Sequence, residues 1–306
     1  MSVVYLGTSD FAAAILERLA REPAHRPSLV VTRPDRPSGR GRRLSSPPVA
    51  DTARALGLDL AQPERVNDPE AIATIGRAAA GGEGPPTVIV CAFGALISEP
   101  LLSAQEILNV HPSLLPRWRG AAPVERAIMA GDDRTGVAIM RLTAGLDEGP
   151  VCLTGEEPIG PEDTYGSLAG RLRELGGELL VRALAESPPF REQNSADITY
   201  AEKIGPADRL LDPARPAVEL ERTVRALHPH IGARLGLQGE SMLGVIRAAL
   251  PSELGAEPSV GELAEHEGRL LLGCDPGALE LLEVQPPGGR PMPTDAYLRG
   301  HGLPLR

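Results

Sequence analysis

Runs of β-branched residues alternate with helical periodicity from the N-terminus to about Phe190, and this alternation restricts the fold more than any other feature. The first repeat of the pattern reads "SVVYLG", then "SDFAAAILERLAREP", then "SLVVTR". Its middle segment carries apolar residues at helical spacing, namely Phe11, Ile15, Leu16 and Leu19. Ser9 or Asp10 is the expected N-cap of this helix. A strand, a helix and a strand in this order predict a parallel sheet covered by helices.

The alternation continues through "PVADTARALG", "TVIVCA", "EILNVH", "APVERAIMAG" and "GVAIMRL", and then through one long helical stretch. These segments predict a Rossmann-like α/β domain over residues 1–189. Residues 190–210 are polar and aperiodic, which is typical of a linker. Residues 211–306 begin with a helical stretch and continue as short apolar pieces separated by Gly and Pro. This spacing predicts a small β-barrel or sandwich.

The composition argues against several classes of protein. The 306 residues carry 31 Lys and Arg against 41 Asp and Glu, a net charge of −10, which does not suit a surface for nonspecific nucleic-acid binding. No apolar run reaches the ~18 residues of a membrane-spanning helix, and the N-terminus lacks the features of a signal peptide, so we expect a cytoplasmic location. Cys91, Cys152 and Cys274 are far apart and form no C-x-x-C pair, which argues against a disulfide framework and a zinc site.

The first predicted strand ends in "LGTSDF". This segment contains neither G-x-G-x-x-G nor the G-x-x-x-x-G-K of a P-loop, so it supports neither a nicotinamide dinucleotide site nor an ATP site. Gly7, Thr8 and Ser9 suit a tight turn and a helix cap, and a loop that faces a ligand is the alternative. The residues alone favour the turn.

Asn109 and His111 lie two residues apart at the end of the predicted strand "EILNVH" and therefore share one face of it. Open α/β sheets bind ligands at the carboxyl edge of their strands. An Asn amide and a protonated imidazole can both donate hydrogen bonds to a developing oxyanion. The alternative is that both side chains only satisfy backbone groups at the strand end.

Asp147 lies in "TAGLDEGP", just after the predicted strand "VAIMRL". A loop between Gly145 and Gly149 can bring this carboxylate close to a neighbouring strand end. There it would orient His111, favour its protonated form, and accept a proton from an attacking amine. An ordinary glycine-bounded turn is the alternative.

The segment "TRPDRPSGRGRR" sets five arginines against one acid, Asp35, and its Pro and Gly residues predict a loop. The arginines are Arg33, Arg36, Arg40, Arg42 and Arg43. In a chain of net charge −10 this local excess of positive charge suggests contact with a phosphate backbone. A solvated basic loop without a ligand is the alternative. The aromatic content of 3% is too low for a base-stacking platform.

Taken together, these segments resemble the methionyl-tRNA formyltransferase family over nearly the whole chain. The most characteristic one is "NVHPSLLPRWRGAAP", and "GTSDF", "TRPDRPSGRG", "AFGALI", "GLDEG" and "TYAEK" follow the family's order. The resemblance implies transfer of a formyl group from 10-formyltetrahydrofolate to the α-amine of methionine on initiator tRNA, without a metal. It implies that Asn109, His111 and Asp147 are the catalytic residues.

The same resemblance implies two binding surfaces. The folate-binding residues would be Phe93, Gly94, Leu96, Ser113, Leu114, Leu115 and Pro116. The tRNA-binding residues would be Arg36, Arg40, Arg42 and Arg43. The C-terminal domain, residues 211–306, would be an OB-like barrel that also contacts tRNA. Separately, we expect the protein to act as a monomer.

Two features depart from the family's pattern. Pro150 stands where relatives often have Asp, which would reshape the loop of Asp147 slightly, and "HPHIGARL" lacks the family's tryptophans. Other folate-dependent formyltransferases share the Asn, His and Asp: the glycinamide ribonucleotide enzyme, the sugar-nucleotide formyltransferases and the hydrolase part of formyltetrahydrofolate dehydrogenase. A noncatalytic RNA-binding protein on the same scaffold is a further alternative. The length of the chain and its arginine-rich segment favour the tRNA enzyme.

Overall fold

The computed structural model describes residues 2–38, 43–81, 87–253 and 257–304, with the side chains of Ser38 and Arg43 excepted. Residue contacts divide the chain into two compact units. The first unit consists of Met1–Gly120, Thr135–Glu157 and Ala169–Tyr200. The second consists of Ala121–Arg134, Pro158–Leu168 and Ala201–Arg306.

The strands, in chain order, are β1 (Val3–Gly7), β2 (Leu29–Val31), β3 (Arg36–Ser38), β4 (Arg43–Ser45), β5 (Leu60–Ala61), β6 (Thr87–Cys91), β7 (Glu106–His111), β8 (Arg119–Gly120), β9 (Arg134–Arg141), β10 (Val151–Pro158), β11 (Tyr200–Ala201), β12 (Ala233–Gly236), β13 (Met242–Ala249), β14 (Leu263–His266), β15 (Arg269–Gly273), β16 (Ala278–Gln285) and β17 (Met292–Pro293). The α-helices are α1 (Asp10–Ala20), α2 (Pro48–Ala55), α3 (Pro69–Ala80), α4 (Glu99–Ala104), α5 (Pro123–Ala130), α6 (Tyr165–Glu186), α7 (Ala217–Leu227) and α8 (Thr294–His301). Short 3-10 turns occupy Pro23–His25, Ser195–Asp197, Ala207–Arg209 and Gln238–Glu240.

The first unit is built on a seven-stranded sheet in the order β10-β9-β7-β6-β1-β2-β5. Strands β5, β2, β1, β6 and β7 are parallel, which confirms the predicted Rossmann-like architecture. Strand β9 runs antiparallel to β7, which differs from the parallel arrangement expected for "GVAIMRL". Apolar periodicity defines a strand but not its direction, and an antiparallel strand at one side of a parallel sheet is common in large sheets.

Strands β1 and β6 are buried along their whole length, as expected where helices cover both faces of a sheet. Helix α1 buries all four apolar residues that the sequence singled out, Phe11, Ile15, Leu16 and Leu19. Full burial of such a side chain contributes roughly 1.5–3 kcal/mol. The Ser9 hydroxyl accepts a hydrogen bond from the Ala12 N–H, so Ser9 and not Asp10 caps the helix.

The second unit contains an antiparallel sheet in the order β12-β13-β16-β15-β14, with β17 also paired to β16. The predicted helix of "PAVELERTVRALHP" is α7, and its buried face packs into the same apolar cluster as the strands. Helix α5 packs on α7, and the Arg126 guanidinium pairs with Asp208 at 2.7 Å. The short strands predicted for the C-terminal residues are therefore present.

The three-part division predicted from the sequence, with boundaries at residues 189 and 211, remains a prediction. The compact units interleave along the chain, because α5 and the segment Pro158–Leu168 group with the C-terminal residues. No helix within the described ranges combines the length and apolar character needed to cross a bilayer.

Candidate active site

The carboxyl end of β7 places Asn109 and His111 on one face of the sheet, because side chains two residues apart along a strand point the same way. Parallel β6 and antiparallel β9 flank β7, so that Val90 and Met140 lie beside Asn109 and Ala138 lies beside His111. Both polar side chains are buried. Buried polar groups need hydrogen-bond partners, and the partners of these two identify the rest of the cluster.

The turn after β9 supplies the third member, Asp147. The Asn109 Nδ2 donates to Asp147 Oδ1 at 3.5 Å, and the His111 Nδ1 lies 3.6 Å from Asp147 Oδ2. The backbone N–H of Gly120 donates to the same Oδ2 at 2.9 Å. The structure thus brings together the three residues that the sequence selected. We call Asn109, His111 and Asp147 the strand-end cluster.

The turn that carries Asp147 has an unusual backbone. Asp147 itself has a positive φ of 47°, in a region that few residues other than Gly, Asn and Asp occupy. At Gly149 a Cβ would lie 2.0 Å from the carbonyl oxygen of Arg141, so only glycine fits there. Pro150, the departure from the family pattern, still takes part in the backbone pairing, since its carbonyl oxygen accepts from the Arg141 N–H at 2.9 Å.

The second ring nitrogen of His111 also faces an acceptor. Its Nε2 lies 2.9 Å from the carbonyl oxygen of Trp118. The ring is therefore held between a backbone carbonyl on one side and the Asp147 carboxylate on the other. Both acceptors suit an imidazole N–H donor. The contact at Nδ1 is the longer of the two and lies beyond ordinary hydrogen-bond length.

The segment between His111 and Trp118 folds back on itself to present that carbonyl. Ser113 is fully buried, and its Oγ donates to the carbonyl oxygen of Arg117 at 2.7 Å. The Leu115–Pro116 peptide bond is cis. Trp118 has a positive φ of 60°, and its N–H donates to the Thr199 Oγ1 at 2.8 Å. Hydrogen bonds from Ser113 and Trp118 therefore hold this segment as a turn.

Two further residues, neither of them predicted from the sequence, contact the strand-end cluster through its loops. The Gln193 Nε2 donates to the carbonyl oxygens of Asp147 and Gly149, at 2.8 Å in each case. The Gln193 Oε1 accepts from Nε and Nη2 of the buried Arg119, at 3.1 and 2.7 Å. Gln193 and Thr199 lie in residues 190–210, the polar stretch that the sequence predicts to be a linker. Thr199 is the first letter of the family motif "TYAEK", which is the one local signal that points to either residue.

The candidate folate residues occupy two loops at the same carboxyl edge of the sheet. Phe93 is buried, and its carbonyl oxygen accepts from the Thr8 Oγ1 at 2.7 Å, which ties the loop after β6 to the loop after β1. Gly94 has a positive φ of 73°. Leu96 is 80% exposed, an unusual placement for a large apolar side chain that suits contact with a ligand. Buried Phe93 and Ser113 shape these loops, whereas Leu96 offers surface.

The described part of the arginine-rich segment is a pair of short strands, where the sequence predicted a loop. Strands β3 and β4 pair in antiparallel register, with Arg36 opposite Ser45 and Ser38 opposite Arg43. We call this hairpin the arginine arm. The Arg36 guanidinium pairs with Glu64 in an exposed ion pair. Arg40 and Arg42 lie outside the described residues, as does the side chain of Arg43.

A polar network fixes the base of the arginine arm. The Gln62 Nε2 donates to Asp35 Oδ1 at 2.7 Å, and Ser46 and Arg54 contact the other carboxylate oxygen, at 3.2 and 3.5 Å. Asp35 precedes the first strand of the arm and Ser46 follows the second, so the network joins the two ends. The hydrogen bond from Gln62, with those from Ser46 and Arg54, lowers the pKa of Asp35 below its ordinary value.

Near this edge of the sheet, Cys91 is fully buried at the end of β6. Burial raises the pKa of its thiol to about 12, so it carries no thiolate at neutral pH and does not suit a nucleophile. Among the residues that the structure describes, no group of three or more His, Cys, Asp and Glu side chains is arranged to hold a metal ion.

Comparison with known sequences identifies two family profiles in the chain. Residues 1–184 match "Formyl transferase", and residues 203–302 match "Formyl transferase, C-terminal domain". Methionyl-tRNA formyltransferase of Dechloromonas aromatica is 39% identical and covers 99% of this chain and 97% of its own length. The enzyme of the same name from Paracoccus denitrificans is 40% identical and covers 100% of this chain and 99% of its own.

Solved structures share the fold at lower sequence identity. A variant of HypX from Aquifex aeolicus superposes with a TM-score of 0.65 at 16% identity, covering 100% of this chain and 49% of that one. An N-formyltransferase from Helicobacter canadensis, solved with folinic acid and dTDP-3-aminofucose, superposes with a TM-score of 0.65 at 15% identity, covering 92% and 98%. At these identities the similarity concerns the fold alone.

Proposed function

The chain belongs to the methionyl-tRNA formyltransferase family, and on that premise we propose that it transfers a formyl group from 10-formyltetrahydrofolate to the α-amine of methionine on initiator tRNA. The observation that carries the proposal is the strand-end cluster. At the carboxyl edge of a formyltransferase sheet, the Asn109 Nδ2 and the His111 Nδ1 lie 3.5 and 3.6 Å from the two carboxylate oxygens of Asp147. We also propose that the protein acts in the cytoplasm, as a monomer.

The chemistry needs two things from the protein. The amine nitrogen attacks the formyl carbon, a new C–N bond forms, and the carbonyl oxygen becomes an oxyanion. The bond from that carbon to the folate nitrogen then breaks, and the folate nitrogen takes up a proton while the amine loses one. Oxyanion stabilisation and proton transfer are therefore the two tasks to assign.

Asn109 and His111 suit the first task. Their donor atoms Nδ2 and Nδ1 make the two longest contacts of the cluster, 3.5 and 3.6 Å to the two oxygens of Asp147. Contacts of this length cost little to exchange for a stronger acceptor, and catalytic hydrogen bonds are often long before substrate binds. An oxyanion beside these two donors would supply that acceptor.

Asp147 suits the second task. Its carboxylate is largely buried, and the Gly120 N–H holds Oδ2 in place while Oδ1 faces Asn109. A carboxylate fixed in this way beside the reacting amine can accept its proton directly or through water. The Trp118 carbonyl at Nε2 keeps the His111 ring in orientation while Nδ1 turns from Asp147 to the oxyanion.

The arginine arm supports a nucleic-acid substrate. Its strands and the sequence between them contain Arg36, Arg40, Arg42 and Arg43, in a protein whose net charge is −10. The Arg36–Glu64 pair is exposed, and exposed pairs contribute about 0–1 kcal/mol, so a phosphate can replace Glu64 at small cost. We assign Arg36, Arg40, Arg42 and Arg43 to contacts with tRNA phosphates.

Formyl transfer from 10-formyltetrahydrofolate to charged initiator tRNA tests the proposal directly. Elongator methionyl-tRNA and a dTDP-linked amino sugar serve as the alternative acceptors. We expect formylation of initiator methionyl-tRNA in preference to both. Formylation of the amino sugar without formylation of the tRNA would assign the protein to the sugar-nucleotide branch, and tRNA binding without any transfer would assign it to the noncatalytic class.

A further inference from the structure

We propose that Gln193 is a positioning residue that holds the loop of Asp147 in its reactive conformation, and that the strap of residues 193–199 in this way fixes both acceptors of His111. This inference rests on the proposed function for its catalytic consequence. It assigns a role to a segment whose sequence reads as a linker.

The first support is the backbone that Gln193 contacts. Asp147 has a positive φ of 47°, in the left-handed region that side chains adopt less readily than glycine does, so contacts from the surroundings help to keep the turn in this conformation. The side-chain amide of Gln193 donates one N–H to the Asp147 carbonyl and the other to the Gly149 carbonyl. These two bonds span the turn, so they fix the Asp147–Glu148 and Gly149–Pro150 peptide units.

The second support is the way Gln193 is itself held. Arg119 is buried, and both its Nε and Nη2 donate to the Gln193 Oε1. The rest of the amide is thereby oriented toward the turn. Only a side-chain amide of this length can accept from a guanidinium at one end and donate two N–H groups at the other. A carboxylate would keep the Arg119 contact but would oppose its second oxygen to two carbonyl oxygens.

The third support is that the strap also holds the other neighbour of His111. The Thr199 Oγ1 accepts from the Trp118 N–H at 2.8 Å, and the Thr199 carbonyl accepts from the Arg119 N–H at 2.9 Å. The Trp118 carbonyl is the acceptor at His111 Nε2. One short segment therefore fixes both acceptors of the His111 ring: Asp147 through Gln193, and the Trp118 carbonyl through Thr199.

Two substitutions separate positioning from folding. Gln193→Glu keeps the bond to Arg119 and removes both donors to the turn, whereas Gln193→Met removes the bond to Arg119 as well. The neighbouring Glu192→Gln is the matched control, because Glu192 is exposed and directly precedes the strap. Thermal melting of each variant checks that the chain is folded, and Gln193→Glu is the deciding variant because buried Arg119 retains its partner.

Steady-state formylation measures the catalytic consequence. We expect kcat of Gln193→Glu to fall about 10²-fold, since misplacement of a reacting group by about 1 Å can cost that much. The KM values for folate and tRNA should stay within about threefold of the wild type, and Glu192→Gln should match the wild type. A raised KM with unchanged kcat would make Gln193 a binding residue, and unchanged kinetics would remove its role.

Hydrogen exchange at the Gly120 amide gives a readout that needs no substrate. This N–H donates to Asp147 Oδ2, so release of the turn should speed its exchange at least tenfold in Gln193→Glu and leave it unchanged in Glu192→Gln. Unchanged exchange would overturn the proposal even if activity fell. If the wild type formylates no tRNA, the proposed function fails, and the exchange comparison still decides whether Gln193 holds the turn.

Thr199→Val tests the common action of the strap. Alone it should lower kcat about tenfold by freeing the Trp118 N–H. Combined with Gln193→Glu, the loss should be smaller than the product of the two single losses, because both changes act on the orientation of His111. Losses that multiply would show that the two ends of the strap act independently.

Discussion

The strand-end cluster and the arginine arm hold their polar groups in opposite ways. Asn109, His111 and Asp147 are enclosed, each contacts another member, and backbone groups of Trp118 and Gly120 also contact His111 and Asp147. The arm is an exposed hairpin, and Arg36, the arginine of its strands whose side chain is described, pairs with an exposed Glu64.

The difference follows from what each region is proposed to recognise. Stabilising a developing charge requires donors placed in advance, in a site with little water to compete. Contact with a phosphate backbone is mainly a matter of charge within reach, because the interaction is long-ranged and tolerant of geometry. Substitutions in the cluster should therefore change the rate of transfer, and substitutions in the arm should change tRNA affinity and its dependence on salt.

The largest effect is expected for Asp147→Asn. This change removes the proton acceptor while it keeps the shape of the side chain, and a positioned acid-base group is typically worth 10²–10⁴-fold, so kcat should fall at least about 10²-fold. Folate and tRNA binding, followed by titration of each ligand, should be unchanged. Near-normal turnover would refute the assigned role of Asp147.

Asn109→Ala should cause the next largest loss. Removal of one oxyanion donor typically costs about 10²–10³-fold in kcat, and single-turnover formylation should show this with bound tRNA. Asn109→Asp is the paired variant, because it keeps the size of the side chain but offers no N–H donor. A large fall in tRNA affinity with an unchanged single-turnover rate would instead make Asn109 a binding residue.

Substitutions in the arginine arm should have a smaller effect, and they should change tRNA affinity instead of kcat. Neutralising Arg40, Arg42 and Arg43 together should weaken initiator tRNA binding and flatten its salt dependence, by about 0.9 in slope for each phosphate that the arm no longer neutralises. Folate binding should not change. Binding curves measured across a salt series decide the matter, since identical slopes for wild type and variant would leave the arm as solvated surface.

Asp35→Ala should cause the smallest change in tRNA affinity. The direction of that change distinguishes the charge of the arm from its preorganisation. It removes a negative charge beside the arginines, which by charge alone would strengthen tRNA binding. It also removes the carboxylate that joins the two ends of the arm through Gln62, Ser46 and Arg54. We expect about threefold weaker binding at an unchanged salt slope, because a disordered arm loses preorganisation. Tighter binding would show that only the charge of the arm matters.

Much of the first unit could be predicted from the sequence, because its signals are local. Helix α1 follows from the spacing of its four apolar residues and from Ser9 as N-cap, and β1 and β6 from continuous apolar runs. The shared face of Asn109 and His111 follows from the period of two along a strand. The family resemblance rested on motifs of a few consecutive residues, and such motifs are visible without any fold.

Tertiary structure decided what periodicity does not encode. The antiparallel direction of β9, the pairing of the arginine-rich segment as a hairpin, and the grouping of α5 with α7 all depend on contacts between distant residues. The same holds for Gln193 and Thr199. A polar, aperiodic stretch has no apolar pattern from which its position in the fold could be predicted. Its side chains acquire their function only when folding brings distant carbonyls and N–H groups within hydrogen-bond distance.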